Sequence, residues 1–156
     1  MGTVKRLPDS NFWLALALEK HVNHGLCAQW LGSQTGHGSI LFCRSTQQSV
    51  LRLLTTTTIL KAQGLSALTN EEAWAVYEKF LEDDRIGFCE EPSGFQPIWK
   101  RYSCRTTQSP KIWMDTFLAA FAVAGGYQFV TNDAGFRQYN ELDLILLEQA
   151  KPATAI

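Results

Sequence analysis

The sequence predicts an α/β fold in which a parallel sheet is covered by helices. Short apolar segments alternate along the chain with longer segments whose apolar residues recur at helical spacing. The short segments are apolar on both faces, as expected for parallel strands buried between layers of helices. Because 46% of the 156 residues are apolar, the chain can build a sizeable core and is not disordered. We expect one domain over residues 1–150 and a frayed tail at 151–156.

Runs of apolar residues predict five strands, at residues 4–7, 39–43, 86–89, 127–131 and 142–147. Helical spacing predicts six helices, at residues 12–18, 23–34, 46–54, 70–81, 95–102 and 110–125.

Local signals mark the ends of several helices. Thr69 and Glu72 match a capping box, which places the start of a helix at this point. Ser10 or Asn11 could cap the first helix. Pro110 suits a first helical turn, and the pair of glycines at 125–126 suits a helix end.

Charge and cysteine content exclude several classes of protein. Fourteen Lys and Arg residues oppose fifteen Asp and Glu residues, so no overall basic field indicates nucleic-acid binding, and a polyanion surface would have to be local. The four cysteines form no CxxC pair, which argues against a zinc ribbon or a thioredoxin-like site. No signal peptide or membrane-spanning segment is readable, so we expect a soluble, cytoplasmic protein that does not associate with membranes.

Three aspartates occupy positions that suggest a site. Asp9 and Asp133 each follow a predicted strand, and the carboxyl ends of parallel strands meet at one edge of a sheet. Asp115 lies in a helix that is apolar almost all round, where an unpaired carboxylate is costly. If the three converge, a hard divalent cation such as Mg²⁺ or Mn²⁺ would remove their mutual repulsion.

Each aspartate also has a simpler explanation. Asp9 could cap a helix or form a turn, Asp133 could form the turn before Gly135, and Asp115 could pair with a nearby Lys or Arg. For Asp9 or Asp133 alone the simpler explanation is favoured, whereas for Asp115 the two are about equal.

Four ordered segments resemble the PIN-domain ribonucleases, most closely the VapC toxins of type II toxin–antitoxin systems. These segments are residues 7–16, 45–54, 115–122 and 130–136, and the similarity extends over nearly the whole chain. The resemblance implies a three-layer α/β/α fold with a central, mostly parallel sheet. It also implies an endoribonuclease that hydrolyses RNA phosphodiester bonds with Mg²⁺ or Mn²⁺ held by an acidic cluster. Family members commonly form homodimers and are inhibited by a small VapB-type antitoxin.

The resemblance assigns roles to individual residues. Asp9, Asp115 and Asp133 match the family's acids and would bind the metal and act in catalysis. Many PIN domains carry a Glu on the helix after the second strand, where this chain has Gln47 or, less directly, Gln48. The lost carboxylate argues against a two-metal mechanism more than against the fold.

Neighbouring polar residues complete the predicted site. Asn11, Gln47 and Thr131 are candidate polar supports beside the acids. Arg44 and Lys111 are candidate RNA-binding cations.

Other features carry weaker hypotheses. His21, His24 and Cys27 recur at helical spacing, but they lack a fourth ligand for a soft metal, so we expect them to be structural. Most of the five tryptophans should be core residues. Trp99, beside Lys100 and Arg101, is the best candidate for stacking on a base or for an interface with another protein.

Two other functions remain open. The alternative from a different class is a catalytically weak PIN-like module that acts mainly by binding a protein partner or RNA. A small-molecule α/β enzyme ranks lower, because no nucleotide-binding or nucleophile-elbow motif is present.

Overall fold

The computed structural model describes residues 3–149, and the predicted tail at 151–156 lies outside them. Its sheet has five strands, β1 (Arg6–Pro8), β2 (Ile40–Phe42), β3 (Ile86–Phe88), β4 (Gln128–Thr131) and β5 (Leu144–Leu146). All neighbouring strands pair in parallel, in the order β3-β2-β1-β4-β5. The predicted parallel sheet is therefore confirmed, and each predicted strand lies within two residues of the observed one.

Within residues 3–149, seven α-helices cover the sheet: α1 (Ser10–Ala17), α2 (His24–Gly32), α3 (Arg44–Leu54), α4 (Thr57–Ala62), α5 (Asn70–Leu81), α6 (Phe95–Ser103) and α7 (Trp113–Gly125). Helix α4 was not among the predicted helices, because its threonines have low helix propensity. The last helix was predicted to begin at Pro110, which was wrong. Pro110–Ile112 is a single 3₁₀ turn that leads into α7, and the α-helix begins at Trp113.

Two hydrophobic cores lie on opposite faces of the sheet and define three layers. One core joins α1, α2, α3, α4 and α5 to the sheet through residues such as Trp13 and Phe42, whose rings stack 3.9 Å apart. The other joins α6 and α7 to the sheet through residues such as Phe95 and Phe129. Since Trp13 lies in α1 and is fully buried, this packing fixes the helix that follows Asp9.

Helix caps agree with the sequence at one site and differ at another. The Thr69 hydroxyl accepts a hydrogen bond from the backbone N–H of Glu72, so the predicted cap of α5 is confirmed. The cap of α1 is Asp9, and the prediction of Ser10 or Asn11 was wrong because the helix begins at Ser10 itself. This correction gives Asp9 a structural role in addition to the role that the sequence suggests.

Within residues 3–149, no helix has the length and apolar character needed to cross a membrane.

Candidate active site

The central strands β1 and β4 bring the ends of two acidic loops together. Pro8 pairs with Val130 in the parallel register, and the backbone N–H of Asp9 donates to the Val130 carbonyl at 3.0 Å. Asp9 follows β1 directly, and Asp133 follows β4 after one intervening residue. Both therefore lie at the carboxyl edge of the sheet, as the parallel topology predicts.

Asp9 is a buried carboxylate that accepts hydrogen bonds from two donors. Its Oδ1 accepts from the backbone N–H of Phe12 at 2.9 Å, and its Oδ2 accepts from the Thr131 hydroxyl at 2.5 Å. Burial, with smaller contributions from the charges of Asp115 and Asp133, outweighs these bonds and raises the pKa of Asp9 to about 6. Asp115 and Asp133 are thus close enough to affect the protonation of Asp9.

Thr131 connects two of the acids. Its hydroxyl donates to Asp9 Oδ2 and accepts from the backbone N–H of Asp133 at 3.0 Å. The residue is fully buried at the end of β4. One side chain therefore fixes both the Asp9 carboxylate and the loop that carries Asp133.

Replacing Thr131 by Val should weaken this connection while keeping the side-chain shape. The change leaves one oxygen of Asp9 and the Asp133 N–H without a partner, at an expected cost of about 1–3 kcal/mol in the free energy of unfolding. Urea denaturation measures this loss. Thr131→Ser is the matched control because it keeps the hydroxyl, and equal losses in both variants would contradict the role of the hydrogen bonds.

Asp133 and Asp115 complete the acidic group. Asp133 is exposed, and its Oδ1 accepts from the backbone N–H of Gly135 at 2.8 Å. A Cβ at position 135 would lie 3.0 Å from the same Oδ1, so Gly135 permits this close turn. Asp115 is half-buried in the first turn of α7, and burial, followed by the charge of Asp133, raises its pKa.

The chemistry of these ligands suits a hard cation, but the side chains do not form a preassembled cage. Within residues 3–149, none of the three carboxylates forms an ion pair with Lys, Arg or His. Across the same residues, no three His, Cys, Asp or Glu side chains are arranged to hold one ion. The observation that favours a cation is therefore the unneutralised repulsion among carboxylates, which oxygen-preferring Mg²⁺ or Mn²⁺ would relieve.

The remaining predicted residues take different positions. Asn11 is exposed and forms no hydrogen bond with the acids in the described part of the chain, so its supporting role stays a prediction. Gln47 is buried, but its Oε1 accepts from Arg44 Nη1 at 2.5 Å instead of contacting a carboxylate. Arg44 and Lys111 are both exposed.

Asn132 also holds the loop that carries Asp133, a role that the sequence patterns did not predict. Asn132 donates from Nδ2 to the Leu147 carbonyl at 3.1 Å and accepts a weak hydrogen bond from the Cys27 thiol at 3.5 Å. In the sequence, only the position of Asn132 between Thr131 and Asp133 indicated that it could have such a role. Cys27 and His24, whose Nδ1 lies 2.8 Å from the Ala15 carbonyl oxygen, thus have protein partners.

The tryptophans differ from expectation near the site. The indole N–H of Trp99 donates to the Thr116 hydroxyl at 3.2 Å, and the ring packs against Phe95 and Phe117. Trp113 at the start of α7 is instead 55% exposed. The more accessible aromatic surface near Asp115 therefore belongs to Trp113.

Comparisons with known proteins identify the family of the chain. The PIN domain family model matches residues 6–142. Ribonuclease VapC41 of Mycobacterium tuberculosis is 51% identical over 142 residues, which cover 90% of this chain and 97% of that protein.

Solved structures share the fold at low sequence identity. VapC20 of M. tuberculosis, described as a sarcin–ricin loop cleaving toxin, aligns with a TM-score of 0.63 and 13% identity, covering 89% of this chain and 98% of its own. A chain from DNA-bound VapBC of Salmonella typhimurium aligns with a TM-score of 0.61 and 14% identity, covering 93% and 99%. A chain from VapBC2 of Rickettsia felis, bound to a promoter DNA fragment, aligns with a TM-score of 0.59 and 11% identity, covering 92% and 98%.

The family match spans most of the chain, the 51% identical relative is aligned over nearly its full length, and the acids lie at the edge where such a site is expected. The chain belongs to the PIN-domain family and, within it, is a homologue of the VapC ribonucleases.

Proposed function

We propose that this protein is a VapC-type toxin, a divalent-cation-dependent endoribonuclease that hydrolyses RNA phosphodiester bonds. The observation that carries the proposal is the group of three mutually repelling carboxylates, Asp9, Asp115 and Asp133, at the carboxyl edge of the sheet. The name of the 51% identical relative, a ribonuclease, supports RNA as the substrate.

Asp9, Asp115 and Asp133 would hold Mg²⁺ or Mn²⁺. When bound, the cation supplies water activation and stabilisation of the negative charge that develops on the phosphate. Asp9 is the fixed member of the group, because Phe12 and Thr131 hold both of its oxygens. Such fixed ligands lower the reorganisation that the reaction requires.

Asp133 is suited to orient the attacking water. Only its Oδ1 accepts a hydrogen bond within the described residues, so Oδ2 can accept a hydrogen bond from a water molecule. The exposure of Asp133 also leaves the site open to a long polymer. Lys111 would contact the RNA backbone. Thr131 would support Asp9 and the Asp133 loop directly, and Asn11 would support the acids through neighbouring groups.

The proposal extends to protein partners. Two of the structural neighbours come from VapBC complexes, which supports a VapB-type antitoxin as the inhibitor of this chain. A homodimer is part of the same proposal. We place this activity in the cytoplasm, where RNA is available.

The test is cleavage of RNA by the purified protein in chelator, in Mg²⁺ and in Mn²⁺. We expect defined fragments only when a divalent cation is present, and chelation should stop the reaction. Absence of cleavage in both cations would refute the proposed ribonuclease activity. RNA or protein binding that persists without cleavage would support the alternative, a binding module of the same fold.

A further inference from the structure

Arg44 is a cation that the fold holds in place at the carboxyl edge of the sheet. It begins α3 directly after Cys43, which follows β2. Its Nη1 donates to Gln47 Oε1 at 2.5 Å, and its guanidinium carbon lies 4.8 Å from the centre of the Phe88 ring. Contacts from a helix and from a strand thus restrain a side chain that would otherwise sample many rotamers.

Gln47 restrains the Arg44 side chain by a hydrogen bond. Its side chain is only 6% exposed, and a buried amide oxygen requires a donor, which Arg44 supplies. The family resemblance places an acid near this position in many PIN domains. In this chain the same position contacts a guanidinium, and its neutral amide leaves the arginine charge intact.

The remaining donors of Arg44 are available to a ligand. A guanidinium has five N–H donors, and within residues 3–149 Arg44 uses one of them and forms no ion pair. The exposed side chain lines a groove of about 460 Å³ together with Trp99, Trp113 and Met114. Glu91 also lines this groove but forms no ion pair with Arg44.

A direct contact joins the start of α3 to the helix that carries Asp115. The Ser45 hydroxyl donates to Met114 Sδ at 2.9 Å. Arg44 directly precedes Ser45 in the sequence, and Asp115 directly follows Met114. Because Met114 lines the groove and directly precedes Asp115, the groove that holds the guanidinium runs beside the first turn of α7, which carries this acid.

We propose that Arg44 binds a phosphate of the RNA strand next to the acidic group, and that Gln47 is a positioning residue for Arg44 instead of a metal ligand. The inference rests on the proposed function for the identity of the polyanion. The planar guanidinium can donate two parallel hydrogen bonds to one phosphate, and the restraint by Gln47 and Phe88 lowers the entropy lost on binding.

RNA binding without catalysis tests the role of Arg44. A fluorescein-labelled single-stranded RNA is titrated with the protein in chelator at several salt concentrations, and anisotropy gives Kd. We expect Arg44→Ala to weaken binding about tenfold and to lower the salt slope by roughly 0.7, the value for one phosphate contact with a single strand. Arg52→Ala is the matched control, because Arg52 is exposed in the last turn of the same helix. Arg44→Gln provides the same test if the alanine variant fails to fold, as judged by circular dichroism.

Substitutions of Gln47 separate positioning from metal binding. Gln47→Glu should pair with Arg44, neutralise it and weaken RNA binding about as much as Arg44→Ala, with KM raised and kcat little changed. Gln47→Leu leaves the charge of Arg44 intact but removes the hydrogen bond that restrains its side chain, so we expect RNA affinity to fall by only about threefold. Calorimetric titration with Mn²⁺ should give the same affinity for wild type and Gln47→Glu.

Specific results would overturn the inference. Unchanged RNA binding by Arg44→Ala, beside a wild type that binds, refutes the phosphate contact. Tighter Mn²⁺ binding and faster cleavage by Gln47→Glu identify position 47 as a metal-ligand position. A wild type that binds RNA through Arg44 but cleaves nothing in either cation refutes the proposed nuclease and leaves this inference standing, whereas no RNA binding refutes both.

Discussion

Asp115→Asn should lower cation-dependent RNA cleavage by about 10²–10³-fold and leave the protein folded. Losses of this size follow removal of one preorganised electrostatic group from an active site. Asn has nearly the same shape as Asp, and within residues 3–149 Asp115 has no ion-pair partner whose charge the change would expose. Since burial and Asp133 both raise the pKa of Asp115, removal of its charge should slightly stabilise the metal-free protein.

A matched control is available at the opposite edge of the sheet. Asp84 is exposed in the turn before β3, and Asp84→Asn changes the total charge by the same amount. Initial rates in Mn²⁺ and thermal melting are measured for both variants. Cleavage by Asp115→Asn at the wild-type rate, or an equal loss in Asp84→Asn, would contradict the assignment of Asp115 to the site.

Asp9→Asn should make the metal-free protein more stable at neutral pH while abolishing its activity. The pKa of Asp9 is raised from 3.8 to about 6 in the folded state. Between these values the folded protein therefore binds more protons than the unfolded chain, and stability falls as pH rises through the window from about 4 to about 6. Above that window the deficit is complete, with an upper bound of about 3 kcal/mol.

Asparagine removes this deficit without removing the helix cap. Its side-chain oxygen can still accept from the Phe12 N–H, but its amide nitrogen cannot accept from Thr131. The lost bond offsets part of the gain, so we expect a net stabilisation of about 1–2 kcal/mol at pH 7.5 in chelator.

Urea denaturation across pH 4–8, with chelator or with Mn²⁺, measures both effects. The wild type should lose stability with rising pH in chelator and regain it in Mn²⁺, because the cation neutralises Asp9. Asp9→Asn should show neither response, whereas Asp84→Asn should behave like the wild type. Parallel pH curves for Asp9→Asn and the wild type would show that the carboxylate is not destabilised by burial.

Much of the fold was predictable because it depends on local patterns. Strands apolar on both faces occur mainly in covered parallel sheets, so the segment around Phe129 indicated both the strand and its layers. Since parallel strands end at a common edge, the same pattern also predicted that Asp9 and Asp133 share one edge of the sheet. Helix α4 was not predictable in this way, because its formation depends on packing of Leu60 in the core and not on the propensities of its threonines.

The details of the site depend on contacts between distant residues and were not predictable. Thr131 and Asp9 are far apart in sequence, and their hydrogen bond follows from the side-by-side pairing of β1 and β4. The exposure of Trp113 has a similar origin, because it depends on how the first turn of α7 packs against distant parts of the chain. Helical spacing alone assigns such a residue to the core.

The double role of Asp9 has an evolutionary consequence. A single base change converts an aspartate codon to an asparagine codon, and the expected product is a folded, more stable and inactive chain. Selection for stability alone would therefore favour loss of the acid. A lineage that retains Asp9 does so against that tendency, whereas an inactive descendant could keep its surfaces and still occupy an inhibitor meant for the active toxin.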